Sequence, residues 1–510
     1  MTHNMTAVFA SNRDGDVVST FRLVTGLFLL CLAVRGFLAI NTVVVGGDAC
    51  SFLWGVRNLA MGPPYDSVIK DKPLFQVLVY GLEQLVGDPI TAGHLITVFF
   101  SSLTVVFLFP LFRDYFSRSV ALLATLLYIL HPTMNDELTK IITDGTFICF
   151  FIGGVFLFHR YVYSRYGWKK WAYLVGSFVL SVLAIATRPE AALLFLIHSI
   201  TMIVLLFQGR RDKGIEWTAI IGLVLYVVVP ALAGYLALGN TFLELLRDPG
   251  KYSGNISNML SVLTGESSIN PLRKWSWYSE AFDEFLELSY YHLNLLLVIG
   301  LFATTWKAQP RERILYVSYF VLYYLAVMLS TLGNTNSQYI NERYLMVGYI
   351  LLLPLVAGGI VWVYDWIKNK KQMPTTALVM LIVVLVGLLP RTLEKGVIPR
   401  NTENIGLKQS GLWIRSIRGD AQPVILSTNK KVLYYTGVDK SRIERIRKLP
   451  NNSLDQLLAE STAKYLIFYT QDFDEYPFLE QAFDHPNLTL LRTFGADDDQ
   501  IDTTYIFQID

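Results

Sequence analysis

Long apolar runs recur along this chain from about residue 21 to residue 391, and no other feature restricts its fold so strongly. Leu23–Val34, Leu193–Phe207 and Met380–Leu389 contain no Asp, Glu, Lys or Arg. In lipid such a run must satisfy its own backbone hydrogen bonds, so it crosses as a helix of about 20 residues. Counting runs of this kind predicts about eleven spans, near 21–42, 91–112, 119–134, 141–158, 171–187, 190–208, 217–238, 291–306, 312–332, 344–366 and 375–391. Composition agrees: 16% of the residues are charged, against about 25% in soluble domains, and 53% are hydrophobic.

The connections between these spans fall into two sets. One set is short and basic, with Arg113 and Arg118, then Arg160, Arg165, Lys169 and Lys170, then Arg210, Arg211 and Lys213. Lys307, Arg311 and Arg313, and finally Lys368, Lys370 and Lys371, complete it. Basic short loops stay in the cytoplasm, and here every alternate loop obeys that rule. The expected organisation is a cytoplasmic tail over 1–20 and a membrane domain over 21–391 with outer loops at 43–90 and 239–290. A soluble extracytoplasmic α/β domain follows over 392–510. In this C-terminal domain, Pro423–Ser427 and Ala463–Tyr469 read as strands, Leu454–Ser461 as a helix, and Leu488–Phe494 with Thr504–Ile509 as a hairpin. That domain contains no nucleophile motif, phosphate loop or metal spacing, so its expected part is acceptor handling or packing.

Other classes are excluded. The net charge is +2 and no basic stripe is present, which gives nucleic acid no footprint. Cys31, Cys50 and Cys149 are too few and too scattered for a disulfide framework or a zinc site. The first apolar run lacks a small-residue cleavage site and reads as a retained anchor.

The residues able to do chemistry gather on the outward side. Asp48 follows the first span, and a carboxylate there can serve as general base once its surroundings tune it. Lys72 precedes Pro73 and the amphipathic stretch Leu74–Val86, where a lysine either neutralises a lipid-linked phosphate as a point charge or snorkels to the headgroups. Arg35 sits in the outer half of the first span, where an ionisable residue marks function or snorkels to the surface. Asp136, Glu137 and Asp144 lie on or beside the second outward loop. The Asp136 and Glu137 oxygens could assist acceptor binding or suit Mg²⁺ or Mn²⁺, but neighbours in sequence do not make a cage, so no metal ligand is assigned and a divalent cation is only an optional cofactor. Arg188-Pro189-Glu190 makes a tight outward turn, and Glu342-Arg343-Tyr344 opens a later span on the same side. Between them, residues 239–290 form a long aromatic outer loop expected to act as an interfacial cap or lid.

This order of features resembles the polyprenyl-phosphate-sugar-dependent transferases of the GT-C superfamily. A first span with Arg35, a loop with Asp48, then Lys72-Pro73-Leu74 before an amphipathic helix carries the resemblance. Ala186-Thr187-Arg188-Pro189-Glu190 and Glu342-Arg343-Tyr344-Leu345 extend it over about residues 20–390. The protein O-mannosyltransferases and the lipid A aminoarabinose transferases are the most similar groups. The chain departs from many of them in having Ala49 after Asp48 and Leu74 after Pro73. The resemblance implies a polytopic helical fold, ahead of the small C-terminal α/β domain, in a cell inner (plasma) membrane. It implies inverting transfer of a sugar from a polyprenyl-phosphate carrier to a lipid, glycan or protein acceptor. Asp48 would be the catalytic carboxylate, Lys72, Arg343 and Arg188 would contact the phosphate, and Arg35, Asp136, Glu137, Asp144, Glu190 and Glu342 would support the site or the acceptor. A transporter or flippase for the same lipid-linked sugars, or a non-catalytic envelope-assembly subunit, is the competing expectation.

Overall fold

The computed structural model describes residues 13–61, 73–164, 167–212, 217–230, 282–288, 291–303, 310–332, 342–371, 404–439, 442–446, 453–495 and 503–510. Helices follow the apolar runs. They are α1 (Arg13–Ile40), α2 (Gly47–Met61), α3 (Pro73–Val86), α4 (Pro89–Tyr115), α5 (Arg118–Leu130), α6 (Pro132–Glu137), α7 (Asp144–Tyr163), α8 (Trp168–Thr187) and α9 (Ala192–Asp212). Then come α10 (Trp217–Leu223), α11 (Tyr291–Phe302), α12 (Pro310–Leu332) and α13 (Glu342–Lys371). Among the described residues six helices are long and apolar enough to cross a membrane, or seven if a bent pair at Phe282–Leu288 and Leu293–Phe302 is one span. The expected run at 375–391 and nearly all of the outer loop at 239–290 lie outside the described residues, as does Lys72.

Two of the expected spans differ from their sequence reading. The run at 119–134 is only 13 residues of helix, because His131 turns extended (φ −66°, ψ 119°) ahead of Pro132. Proline disfavours the helical region for its predecessor, so the break is local chemistry. The run starting at 217 passes from α10 into a π turn over Val224–Val228.

The chain separates into two compact units. The first holds Met1–Arg35, Val98–Leu138 and Thr143–Thr392. Its helices approach closely through small residues, as apolar helices must when lipid offers no hydrophobic drive to pack. A Cβ on Gly300 of α11 would stand 1.8 Å from the Leu355 carbonyl oxygen of α13, and one on Gly359 would stand 2.0 Å from that of Leu296. The two backbones therefore touch at a reciprocal glycine crossing. Helices α7 and α8 also meet through small residues, with the Ser177 hydroxyl donating to the Gly154 carbonyl at 2.9 Å.

The second unit holds Gly36–Thr97, Thr139–Ile142 and Leu393–Asp510. Its sheet contains β1 (Ile425–Ser427), β2 (Ile443–Arg445), β3 (Tyr465–Tyr469), β4 (Leu488–Phe494) and β5 (Thr504–Ile509), in the order β2-β1-β3-β5-β4. Strands β2, β1 and β3 run parallel, and β5 is antiparallel to both β3 and β4. The expected hairpin is thus present. Side chains alternate along the strands. Ile425, Tyr465, Ile467 and Ile506 share a core with α2, α14 (Ile405–Arg418) and α15 (Lys430–Thr436). Leu426, Leu466, Phe468 and Phe507 pack on the opposite face against α16 (Leu454–Glu460).

Candidate active site

In the first unit Arg188, Glu190, Asp144 and Arg343 converge on neighbouring partners. Helix α8 stops because Pro189 cannot continue it, which leaves Arg188 extended (φ −153°, ψ 133°) with its amide bonded to the Ala184 carbonyl at 2.9 Å. The Arg188 side chain is only 3% exposed. Its Nη1 donates to Asp144 Oδ1, and its Nη2 and Nε donate to the two Glu190 oxygens at 2.9 and 3.4 Å. Asp144 is the first residue of α7, where the positive end of the helix dipole favours a carboxylate.

An aromatic ring joins this ion cluster to a second arginine. The Arg188 guanidinium carbon lies 4.8 Å from the Tyr344 ring centroid, and that of Arg343 lies 5.3 Å from it. Arg188 also stands 5.5 Å from the Phe147 ring. Tyr323 of α12 donates its hydroxyl to the Tyr344 carbonyl at 3.1 Å, tying the start of α13 to the cluster. Formally, two carboxylates face the one guanidinium of Arg188, so that group carries excess negative charge. Arg343 is half-buried, with Nη2 3.5 Å from the Tyr344 hydroxyl.

Arg35 occupies a separate polar network. Arg35 does not snorkel: it is fully buried. Its Nε donates to Asn135 Oδ1 at 3.1 Å, Nη1 donates to the Ser101 carbonyl at 2.6 Å and the Tyr128 hydroxyl at 2.9 Å, and Nη2 donates to the Tyr128 carbonyl at 3.4 Å. It also lies 4.4 Å over the Tyr128 ring. Asp136 and Glu137 end α6, a short helix with most of its residues buried, and Glu137 is 7% exposed. Among the described residues no group of three or more His, Cys, Asp or Glu could hold a metal ion. Glu342 is the first residue of α13.

Asp48 belongs to the second unit, where it lies exposed in the first turn of α2. The turn before it is anchored to the C-terminal sheet domain. The Val45 amide donates to the Tyr435 hydroxyl at 3.1 Å, and Lys408 Nζ donates to the Val43 carbonyl at 2.9 Å. Further along α2, Arg57 donates to the Tyr434 carbonyl at 3.3 Å and lies 4.4 Å over the Tyr434 ring. Burial pushes the Tyr435 phenol up to about 12, partly offset by the bond from Val45. Sequence reading missed Tyr323, Tyr344 and Tyr435 as partners of the charged residues. Only Tyr344 carried a signal, its place directly after Arg343.

Comparison with known proteins gives a consistent fold. A family profile described as dolichyl-phosphate-mannose-protein mannosyltransferase matches residues 70–234, under half of the chain. A search of curated protein sequences gives no significant match. The structure of ArnT from Cupriavidus metallidurans bound to undecaprenyl phosphate matches with a TM-score of 0.55 at 12% identity, over 97% of this chain and 98% of that one. The Archaeoglobus fulgidus oligosaccharyltransferase in its apo form matches with a TM-score of 0.57 at 9% identity, over 94% of this chain and 74% of that one. Arabinofuranosyltransferase AftD from Mycobacteria matches at 0.50 and 12% identity, over 96% of this chain and 40% of that one.

Proposed function

We propose that this chain, a multi-pass membrane protein of the GT-C glycosyltransferase fold, moves a hexosyl or pentosyl group from a polyprenyl-phosphate carrier to an acceptor. The acceptor is a lipid, glycan or protein, and transfer takes place at the extracytoplasmic face of a cell inner membrane. The observation that carries this reading is the convergence of Arg188 and Arg343 on one ring, Tyr344, beside Asp144 and Glu190. These residues sit where α7 begins, α8 ends and α13 begins, the ends opposite the basic loops. By the loop-charge rule those ends face outward, so the N-terminus is cytoplasmic and the C-terminal domain extracytoplasmic. Nucleotide-linked sugars are scarce on that side, which favours a donor that arrives in the membrane on a lipid.

The chemistry follows from where charge develops. An acceptor hydroxyl or amine attacks the anomeric carbon from the face opposite the phosphate, the carbon–oxygen bond to phosphate breaks, and the sugar inverts. Asp48 takes the acceptor proton, and the leaving polyprenyl phosphate takes the bonding electrons. Fixed cations aimed at that phosphate lower the barrier. Arg343, half-exposed, suits this contact, and Lys72 shares it by its place in the sequence. Arg188 already donates to two carboxylates, so it orients Tyr344 and Arg343.

The test is sugar transfer in membranes holding wild-type, Asp48→Asn or Arg343→Ala protein, offered a panel of polyprenyl-phosphate hexoses and pentoses. Turnover of one donor that collapses in both folded variants supports the proposal and names the sugar. Folded wild-type protein that turns over none of them, while lipid-linked sugar crosses the membrane, would favour a flippase.

A further inference from the structure

The second unit contains an arrangement that a passive C-terminal domain would not need. Residues 43–48 lead from α1 into α2, and Val44 and Val45 are buried against the sheet domain. Two side chains of that domain grip the backbone of this short turn. The Tyr435 hydroxyl accepts from the Val45 amide at 3.1 Å, and Lys408 donates to the Val43 carbonyl at 2.9 Å. The two gripping residues also support each other, with Lys408 Nζ 5.8 Å from the Tyr435 ring centroid.

Tyr435 itself is held from behind. It is 5% exposed, and α14 presses on it through Gly411, where a Cβ would stand 2.6 Å from Tyr435 Cβ and 2.7 Å from the Val432 carbonyl oxygen. On the far side, Trp54 of α2 meets the Tyr434 ring edge-on at 6.2 Å, and Arg57 lies over that same ring. The helix that carries Asp48 in its first turn is therefore held just before its start and again along its second half by the consecutive tyrosines of α15. Only Gly46 and Gly47 lie between Val45 and Asp48, and the Cys50 amide donates to the Gly46 carbonyl at 3.1 Å, so the gripped turn runs directly into the first turn of α2 and sets where the Asp48 backbone stands.

We propose that Tyr435 is a positioning residue: its hydroxyl holds the Val43–Asp48 turn so that the Asp48 carboxylate meets the acceptor in the geometry that transfer requires. This rests on the reading of Asp48 as the base. It assigns the C-terminal domain a part in the reaction, acting through the backbone of the loop rather than by touching substrate.

The experiment compares wild type, Tyr435→Phe, Asp48→Asn and the double variant in steady-state sugar transfer, with amide hydrogen exchange over residues 43–48. Tyr435→Phe keeps the buried ring and removes one acceptor atom. The expected result is a kcat lowered about ten- to hundredfold, the loss typical of a reacting group displaced by about an ångström. Donor KM stays within about twofold, and exchange at the Val45 amide rises. In the Asp48→Asn background the same change costs nothing more, since the group being positioned is gone. Unchanged kcat with faster exchange would overturn the proposal. So would multiplicative losses in the double variant, or a fall in kcat accompanied by an equal loss of melting temperature. Full activity of Asp48→Asn would instead sink the underlying assignment of the base, whatever Tyr435→Phe does.

Discussion

Arg188 and Arg343 stand at 4.8 and 5.3 Å from the centroid of one ring, that of Tyr344, although 155 residues separate them in the chain (343 − 188). The two cations are not equivalent. Arg188 is nearly without solvent contact and donates to Asp144 and Glu190, whereas Arg343 is half-exposed at the start of α13. A desolvated guanidinium over an aromatic face gains about 2 kcal/mol, and here one ring orients both.

Removing Arg188 should therefore damage stability before chemistry. Arg188→Met removes the guanidinium that pairs with both Asp144 and Glu190, and breaking a buried pair in this way costs about 3–5 kcal/mol. Thermal unfolding in detergent should show a lowered midpoint, and adding Asp144→Asn should restore part of it. An unchanged midpoint for the single variant would mean that solvent reaches the cluster.

Arg343→Ala should have the opposite profile. The side chain is half-buried, so the fold should hold, while loss of one preorganised charge-stabilising donor costs about a hundred- to a thousandfold in rate. Arg343→Lys should recover part of the rate, because a point charge still meets the phosphate but not in a bidentate way. Measured transfer within threefold of wild type for Arg343→Ala would move the phosphate contact elsewhere.

Much of this architecture was legible because its causes are local. Span positions follow from apolar run length, and nine of the expected spans begin within three residues of the start of a described helix. The β4–β5 hairpin follows from alternation within Leu488–Phe494 and Thr504–Ile509. What was hidden is non-local or short. Arg188 finds Asp144 from 44 positions away, and Val45 finds Tyr435 from 390 away, so no window of sequence contains either pair. Strand β2 is three residues long, below the length at which alternation is visible. Arg35 read equally as a functional or a snorkelling charge, since the Asn135 and Tyr128 partners that bury it lie about a hundred residues on.

The crossing of α11 and α13 offers a test that involves no charged residue. A methyl on Gly300 or Gly359 would meet backbone carbonyl oxygens at 1.8 or 2.0 Å, so the helices themselves must move apart. Gly300→Ala and Gly359→Ala should each lower stability by more than the 1–3 kcal/mol typical of overpacking, because no flexible side chain can yield. Gly81→Ala, where an added methyl meets nothing within 4 Å, is the matched control. Comparable midpoints for all three variants in detergent would contradict the close approach.

Cys50 reports on the second unit through its titration. The thiol is fully buried two residues after Asp48, and burial pushes it up to about 12 against the pull of Lys431, Lys430 and Arg57. An unfolded thiol ionises near pH 8.5, so the folded pKa is the higher one. The stability gained by keeping the thiol neutral is then complete below about pH 8 and declines as pH rises from about 8.5 towards 12. Wild-type protein should lose more stability between pH 8 and 11 than Cys50→Ala does, read as the shift in denaturation midpoint across that range. In a variant retaining only Cys50, a maleimide at pH 7.5 should label slowly until denaturant opens the unit, because the reactive thiolate is scarce and covered. Rapid labelling without denaturant, or equal pH slopes for the two proteins, would show that the packing of α2 on the sheet domain is open in solution.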